Sequence, residues 1–139
     1  METSLWMIDW NDQMGMGVPA IDAADQRLFA NVNAFNRAIV EGEPDEAVHD
    51  MFDKMVRESL SHFRYEEQFL SKVGYPLPDG HAALHRQISA ELEYVKQDLN
   101  RTKSRRTWAE CGLLVKQLFV EHTLREARIY RSLPRAGAN

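Results

Sequence analysis

Residues 48–69 read VHDMFDKMVRESLSHFRYEEQF, and the spacing within this stretch decides the fold. Val48, Phe52, Met55, Ser59 and Phe69 fall on one face of a helix, and the two positions that complete the stripe between Ser59 and Phe69 are His62 and Glu66. Such a helix turns an imidazole and a carboxylate toward the core. Ionisable groups are costly there unless something satisfies them.

Working outward, the same interruption recurs in three more segments. A helix over about 23–40, capped by Asp22, carries Leu28, Val32, Phe35 and Ile39, and its stripe extends back to Asp25. A helix over about 79–100 carries Ile88, Leu92, Val95 and Leu99 and extends back to His85 and His81. A last helix, from near Thr107 to before Pro134, runs through Trp108, Cys111, Val115, Leu118, Ile129 and Leu133, with His122 and Glu126 on the same face. The helix around residues 48–69 is bounded by Pro44, which suits a first turn, and Gly74, which suits a stop.

Four long helices with short connections predict an all-α, up-down-up-down four-helix bundle. Residues 1–21 are expected to form an irregular N-terminal arm, the bundle spans about 22–133, and the whole is one domain. In the first pair, Asp25 and His62 both lie roughly 25 Å from their shared loop, and in the last pair His85 and His122 lie roughly 23 Å from theirs, so the polar positions should meet in one layer. The middle connection fits less well, because Glu66 stands well before Gly74 while His81 follows Asp79 almost at once. An extended segment through Pro76 and Pro78 would absorb the offset.

Composition narrows the function. The chain has 139 residues, 17 basic against 21 acidic, five histidines and one cysteine, which excludes a disulfide framework and a thiolate zinc site. The balance of charge argues against a nucleic-acid partner, and the local cluster Arg101, Lys103, Arg105 and Arg106 reads as a solvated loop. No apolar run is long enough for a membrane span, and a reducing, cytoplasmic setting is the expectation. Tyr65 and Glu67 flank the polar stripe, and Glu67 is expected to be exposed, with a role as an acid that supports or joins the ligands as the alternative. His49 falls on nearly the opposite face from His62 and is expected at the surface.

Four converging histidines with Glu66, Glu126 and Asp25 point to metal. The pairs 62/66, 81/85 and 122/126 each place two ligands on one helical face. The set is too large for one zinc ion and suits two ions with mixed nitrogen and oxygen ligands, for which iron is the best match, other divalent metals remaining open.

Trp10, Gly17, Val18, Ile21 and Asp22, then His62-Phe63 with Glu66-Glu67, Gly74-Tyr75-Pro76, His81, His85 and His122 together resemble the hemerythrin family, in particular its single-domain bacterial members. Myohemerythrin is a standard up-down-up-down bundle, so the resemblance and the architecture are one expectation. The resemblance implies a non-haem di-iron site with an oxo or hydroxo bridge that binds dioxygen. It further implies that His81, His85 and His122 hold one iron, that Glu66 is shared and that His62 serves the other iron. Two positions depart from the family pattern: the histidine usual before Gln26 is Asp25, and the aspartate expected five residues after His122 is Ala127, with Glu126 as the candidate replacement. Leu118 stands where tryptophan is often found. The leading expectation is an oxygen-binding protein rather than an enzyme. A di-iron enzyme with peroxidase, ferroxidase or nitric-oxide chemistry, or a metal or redox sensor module, are the alternatives.

Overall fold

The computed structural model describes residues 4–74 and 81–131. Four helices account for most of them: α1 Pro19–Val40, α2 Asp45–Lys72, α3 His81–Arg101 and α4 Arg105–Arg131. Each packs against its neighbour in the chain and α1 also packs against α4, which closes the ring of an antiparallel bundle. No strand occurs among the described residues, and no helix among them is long and apolar enough to cross a membrane. The arm contributes two short 3-10 turns, Ser4–Trp6 and Asp12–Met14.

The helix ends follow local chemistry, with two corrections to the sequence expectation. Helix α1 begins at Pro19 rather than at 23, because proline is favoured in a first turn where its missing N–H costs nothing. Asp22 does not cap that helix. Its carboxylate reaches back to accept from the Met16 and Gly17 backbone N–H groups at 2.8 and 3.3 Å, tying the arm to α1. The C-terminus of α1 closes in a Schellman turn: Gly42, at φ +73°, donates to the Ile39 carbonyl and Glu43 to that of Ala38. Pro44 precedes α2 instead of lying within it. The Pro76–Pro78 connection, the start of α3 near Asp79, and Leu133 lie outside the described residues.

The arm is held by Asn36, a fully buried side chain on α1 whose amide donates to the carbonyls of Trp6 and Gly112 at 2.8 and 3.1 Å. Trp6 answers with an indole N–H to the Ala109 carbonyl at 2.8 Å. Gly112 permits this approach, since a Cβ there would overlap the Asn36 carboxamide. The basic cluster is not simply a solvated loop: Arg105 opens α4, spans to Asp45 at 2.8 Å and covers the Trp108 ring at 4.7 Å. Arg101 pairs with Asp98 and Arg106 with Glu110. His49 is also corrected. It is half-buried, with its ring edge-on to Trp108 at 5.2 Å.

Candidate metal centre

The four polar interruptions meet near the end of the bundle where α2 gives way to α3. Asp25 comes from the start of α1, His62 and Glu66 from the end of α2, His81 and His85 from the start of α3, and His122 and Glu126 from the end of α4. Antiparallel packing makes these segments neighbours in one layer. All seven side chains are shielded from solvent, with Glu66 fully buried.

Asp25 Oδ1 lies 2.8 Å from His62 Nε2, which lies 3.3 Å from Glu66 Oε2. The other Glu66 oxygen, Oε1, lies 3.3 Å from His81 Nε2, and that nitrogen lies 3.3 Å from Glu126 Oε2. Glu126 Oε1 faces the Nε2 atoms of His122 and, at 4.0 Å, of His85. Asp25 therefore reaches the layer despite its short side chain, and Glu126 is a buried member of it rather than a solvated acid.

Six of these seven donors fall into two groups, Glu66, His81, His85 and Glu126 in one and Asp25, His62 and Glu66 in the other, each with its ligand atoms within 4.8 Å of one another, while His122 stands outside both with its Nε2 against Glu126 Oε1. Glu66 belongs to both. Yet both Glu66 oxygens, His85 Nε2 and His122 Nε2 are buried without a hydrogen-bond partner among the described residues. Buried polar atoms are otherwise almost always satisfied. Nitrogen and oxygen atoms that crowd together without hydrogen-bond geometry are aimed at shared points, and each group could hold a metal ion.

Phe63 walls the layer off from the core. It is buried, stacks on His85 at 4.1 Å and 9°, and meets His122 edge-on at 5.7 Å. Leu118 is half-buried and, with Leu84 and Ile88, lines a cleft of about 370 Å³ that reaches His122 between α3 and α4. Cys111 is a buried thiol whose pKa burial pushes up, consistent with a small core residue.

A family model described as the hemerythrin HHE cation binding domain matches residues 16–133. The chain belongs to the hemerythrin family. The bacteriohemerythrin of Stenotrophomonas maltophilia (strain R551-3) is 28% identical over 79 residues, covering 57% of this chain and 51% of the relative. The bacteriohemerythrin of Pseudomonas paraeruginosa (strain DSM 24068 / PA7) is 28% identical over 76 residues, covering 55% and 49%. The chain thus spans about half the length of the curated relatives it matches.

For one residue of this hemerythrin domain the geometry favours the alternative over the leading expectation. Glu67 is not simply exposed: its Oε1 lies 3.2 Å from His85 Nδ1 and 3.8 Å from His81 Nδ1. It bonds the His85 ring nitrogen that faces away from Glu126 and so orients that imidazole, while its charge lies beside the corresponding nitrogen of His81. Outer partners of this kind typically carry about 10–100-fold in metal affinity. Glu67→Ala is therefore expected to weaken metal binding by about that factor, with little change in fold, as read by competition with a chelator of known affinity. An unchanged affinity would show that the contact is incidental.

Without an ion, the layer's electrostatics are those of a proton-filled site. Burial disfavours the His62 imidazolium, but the hydrogen-bonded Asp25 carboxylate and the negative charge of Glu66 beside it outweigh burial and hold its pKa up at about 9. His81 is likewise penalised by burial and raised by Glu126 and Glu66 to about 10. Burial pushes the Asp25 carboxyl up to about 6, against the pull of His62. Burial also opposes ionisation of Glu126, yet its polar neighbours Glu66, His122, His81 and His85 hold it well below the usual carboxylate range. Two imidazoles protonated at neutral pH must give up their protons to bind metal. Metal loading at pH 7 should thus release about two protons per chain, and apparent affinity should rise with pH until about 10. Calorimetric titration in buffers of different ionisation enthalpy measures the number directly; no proton release would contradict this account.

Proposed function

We propose that the chain, as one hemerythrin-like domain, holds two iron ions in this layer and binds dioxygen or another small diatomic or peroxide ligand there. In this reading His81, His85 and His122 serve one ion, Asp25 and His62 the other, and Glu66 and Glu126 are shared. The observation that carries it is Glu66: a fully buried carboxylate common to both donor groups, neither of whose oxygens is hydrogen-bonded among the described residues. Membership of a cation-binding family and the names of the bacteriohemerythrin relatives support the same reading. The bound iron would supply the electrons that a small oxidant takes up. Phe63 keeps bulk water from the His85 side, and the α3/α4 cleft gives a small ligand a route toward His122.

Asp25 favours a particular variant of this function. With it the site has four imidazoles and three carboxylates, and anionic oxygen donors stabilise the ferric state. The oxidant would then be reduced instead of returned, which suits peroxidase, ferroxidase or nitric-oxide chemistry better than carriage. The setting we propose is the cytoplasm, where the lone Cys111 stays reduced.

Metal analysis with an optical spectrum tests the first claim, since a bridged diferric pair shows near-ultraviolet charge-transfer bands. Anaerobic diferrous protein titrated with dioxygen tests the second. A stable oxygenated band that vanishes on deoxygenation would establish carriage and overturn the reductive variant. Failure to retain iron would overturn both.

A further inference from the structure

The two donor groups are not alike. The group between α3 and α4 offers His81 and His85 with two carboxylates, and His122 Nε2 faces the same Glu126 oxygen as His85. The group between α1 and α2 offers one imidazole, His62, with the carboxylates of Asp25 and Glu66. Imidazole suits zinc, iron and their neighbours, whereas carboxylate and water suit manganese and magnesium. Glu66 is shared, so the difference lies in what each half adds to it: two imidazoles and the Glu126 carboxylate on one side, with His122 against that carboxylate, and one imidazole and one carboxylate on the other.

The oxygen-rich half also has its own opening. A cleft of about 180 Å³ between α1 and α2 reaches His62, with Arg27, Asn31, Glu58 and Ser61 in its lining beside Ala24 and Leu28. These polar side chains can accompany a hydrated cation, and the charges of Arg27 and Glu58 offset each other. The cleft to His122 is of mixed lining too, with Leu84, Ile88 and Leu118 beside Glu121, Arg125 and Arg128.

We propose that the Asp25, His62 and Glu66 half is a hard-cation site that takes Mn2+ beside a nitrogen-preferring ion in the other half, so that the chain forms a mixed-metal pair. This rests on the two-ion reading and adds that the ions need not be the same. Nitrogen-rich ligation fills first with the metal of higher intrinsic affinity. The oxygen-rich half discriminates least against manganese and exchanges its ion through the α1/α2 cleft.

The test uses the full metal-free chain loaded with one equivalent of Zn2+ and titrated with Mn2+, with bound manganese read from the loss of the free-ion electron paramagnetic resonance signal. One Mn2+ per chain is expected. Asp25→Asn, which keeps shape and removes a charged ligand, should weaken manganese binding by at least about tenfold while zinc content stays at one. Asp25→His should reverse the preference and admit a second zinc in place of manganese. If zinc-loaded protein refuses manganese but accepts a second zinc, the inference is overturned and the two-ion reading stands. The inference is equally overturned if Asp25→Asn binds manganese as tightly as the unaltered chain. If the unaltered chain retains neither metal, the two-ion reading itself falls.

Discussion

Glu66→Ala is expected to empty the centre. The substitution removes the one carboxylate common to both donor groups and leaves His62 and His81 without the oxygen that lies 3.3 Å from each. An ion present at about 100 times its dissociation constant stabilises a fold by about 2.7 kcal/mol, so two forfeited ions cost roughly 5 kcal/mol. For a domain of this size that corresponds to a fall in melting temperature on the order of 15–20 °C when metal is present. After chelation the difference should shrink to what the metal-free fold loses with Glu66, a buried carboxylate that is short of hydrogen bonds but faces the His62 and His81 imidazoles. Metal content and thermal melts with and without chelator check both halves of the expectation. A Glu66→Ala chain that keeps two ions at unchanged affinity would show that the shared carboxylate is not what holds them.

Trp108→Ala should damage the opposite end of the bundle and spare the centre. Trp108 is fully buried, donates its indole N–H to the Thr102 carbonyl at 2.9 Å, and is contacted by the Arg105 guanidinium and the His49 ring. Truncating a buried tryptophan costs about 3–5 kcal/mol through lost burial and the cavity left behind. The Thr102 carbonyl and the start of α4 lose a tie at the same time. Denaturant unfolding of metal-loaded protein measures the cost, and metal stoichiometry should remain unchanged. A loss of only about 1 kcal/mol would mean that neighbouring side chains collapse into the space. Loss of metal would mean that the two ends are coupled through the core.

The four helices are legible in the sequence because apolar residues at intervals of three and four survive any change of partner. The polar layer is legible for the same reason, since His62, Glu66, His81, His85, His122, Asp25 and Glu126 occupy positions where the stripe demands apolar residues. What a single-helix projection cannot supply is the neighbour. Glu67 lies one residue beyond Glu66 and rotates off the stripe, and only the start of α3 gives it two imidazole neighbours. His49 lies far from the centre, as its place in α2 implies, yet its contact with Trp108 depends on α4. The start of α1 is harder to read because Asp22 is a good capping residue in the abstract. Here its carboxylate is occupied by the arm, and Pro19 after an extended Val18 begins the helix without any side-chain cap.

The apolar interior is divided. A large cluster runs from Trp6 and Ile8 through Phe35, Phe52, Leu92 and Trp108, while Met16, Val18, Ile21, Leu70 and Tyr130 form a separate small one beyond the polar layer. Among the described residues the small cluster is much the smaller of the two, and the layer between them holds buried oxygens and nitrogens that lack partners until ions fill it. The metal-free chain should therefore be a folded rod with one frayed tip. Amide hydrogen exchange would be fast at the start of α1 and the end of α2 and slow around Phe35 and Phe52. Such a molecule is primed for loading. The ligands can part to admit an ion while the far end keeps them in register, so capture requires the closing of one tip rather than the folding of a chain.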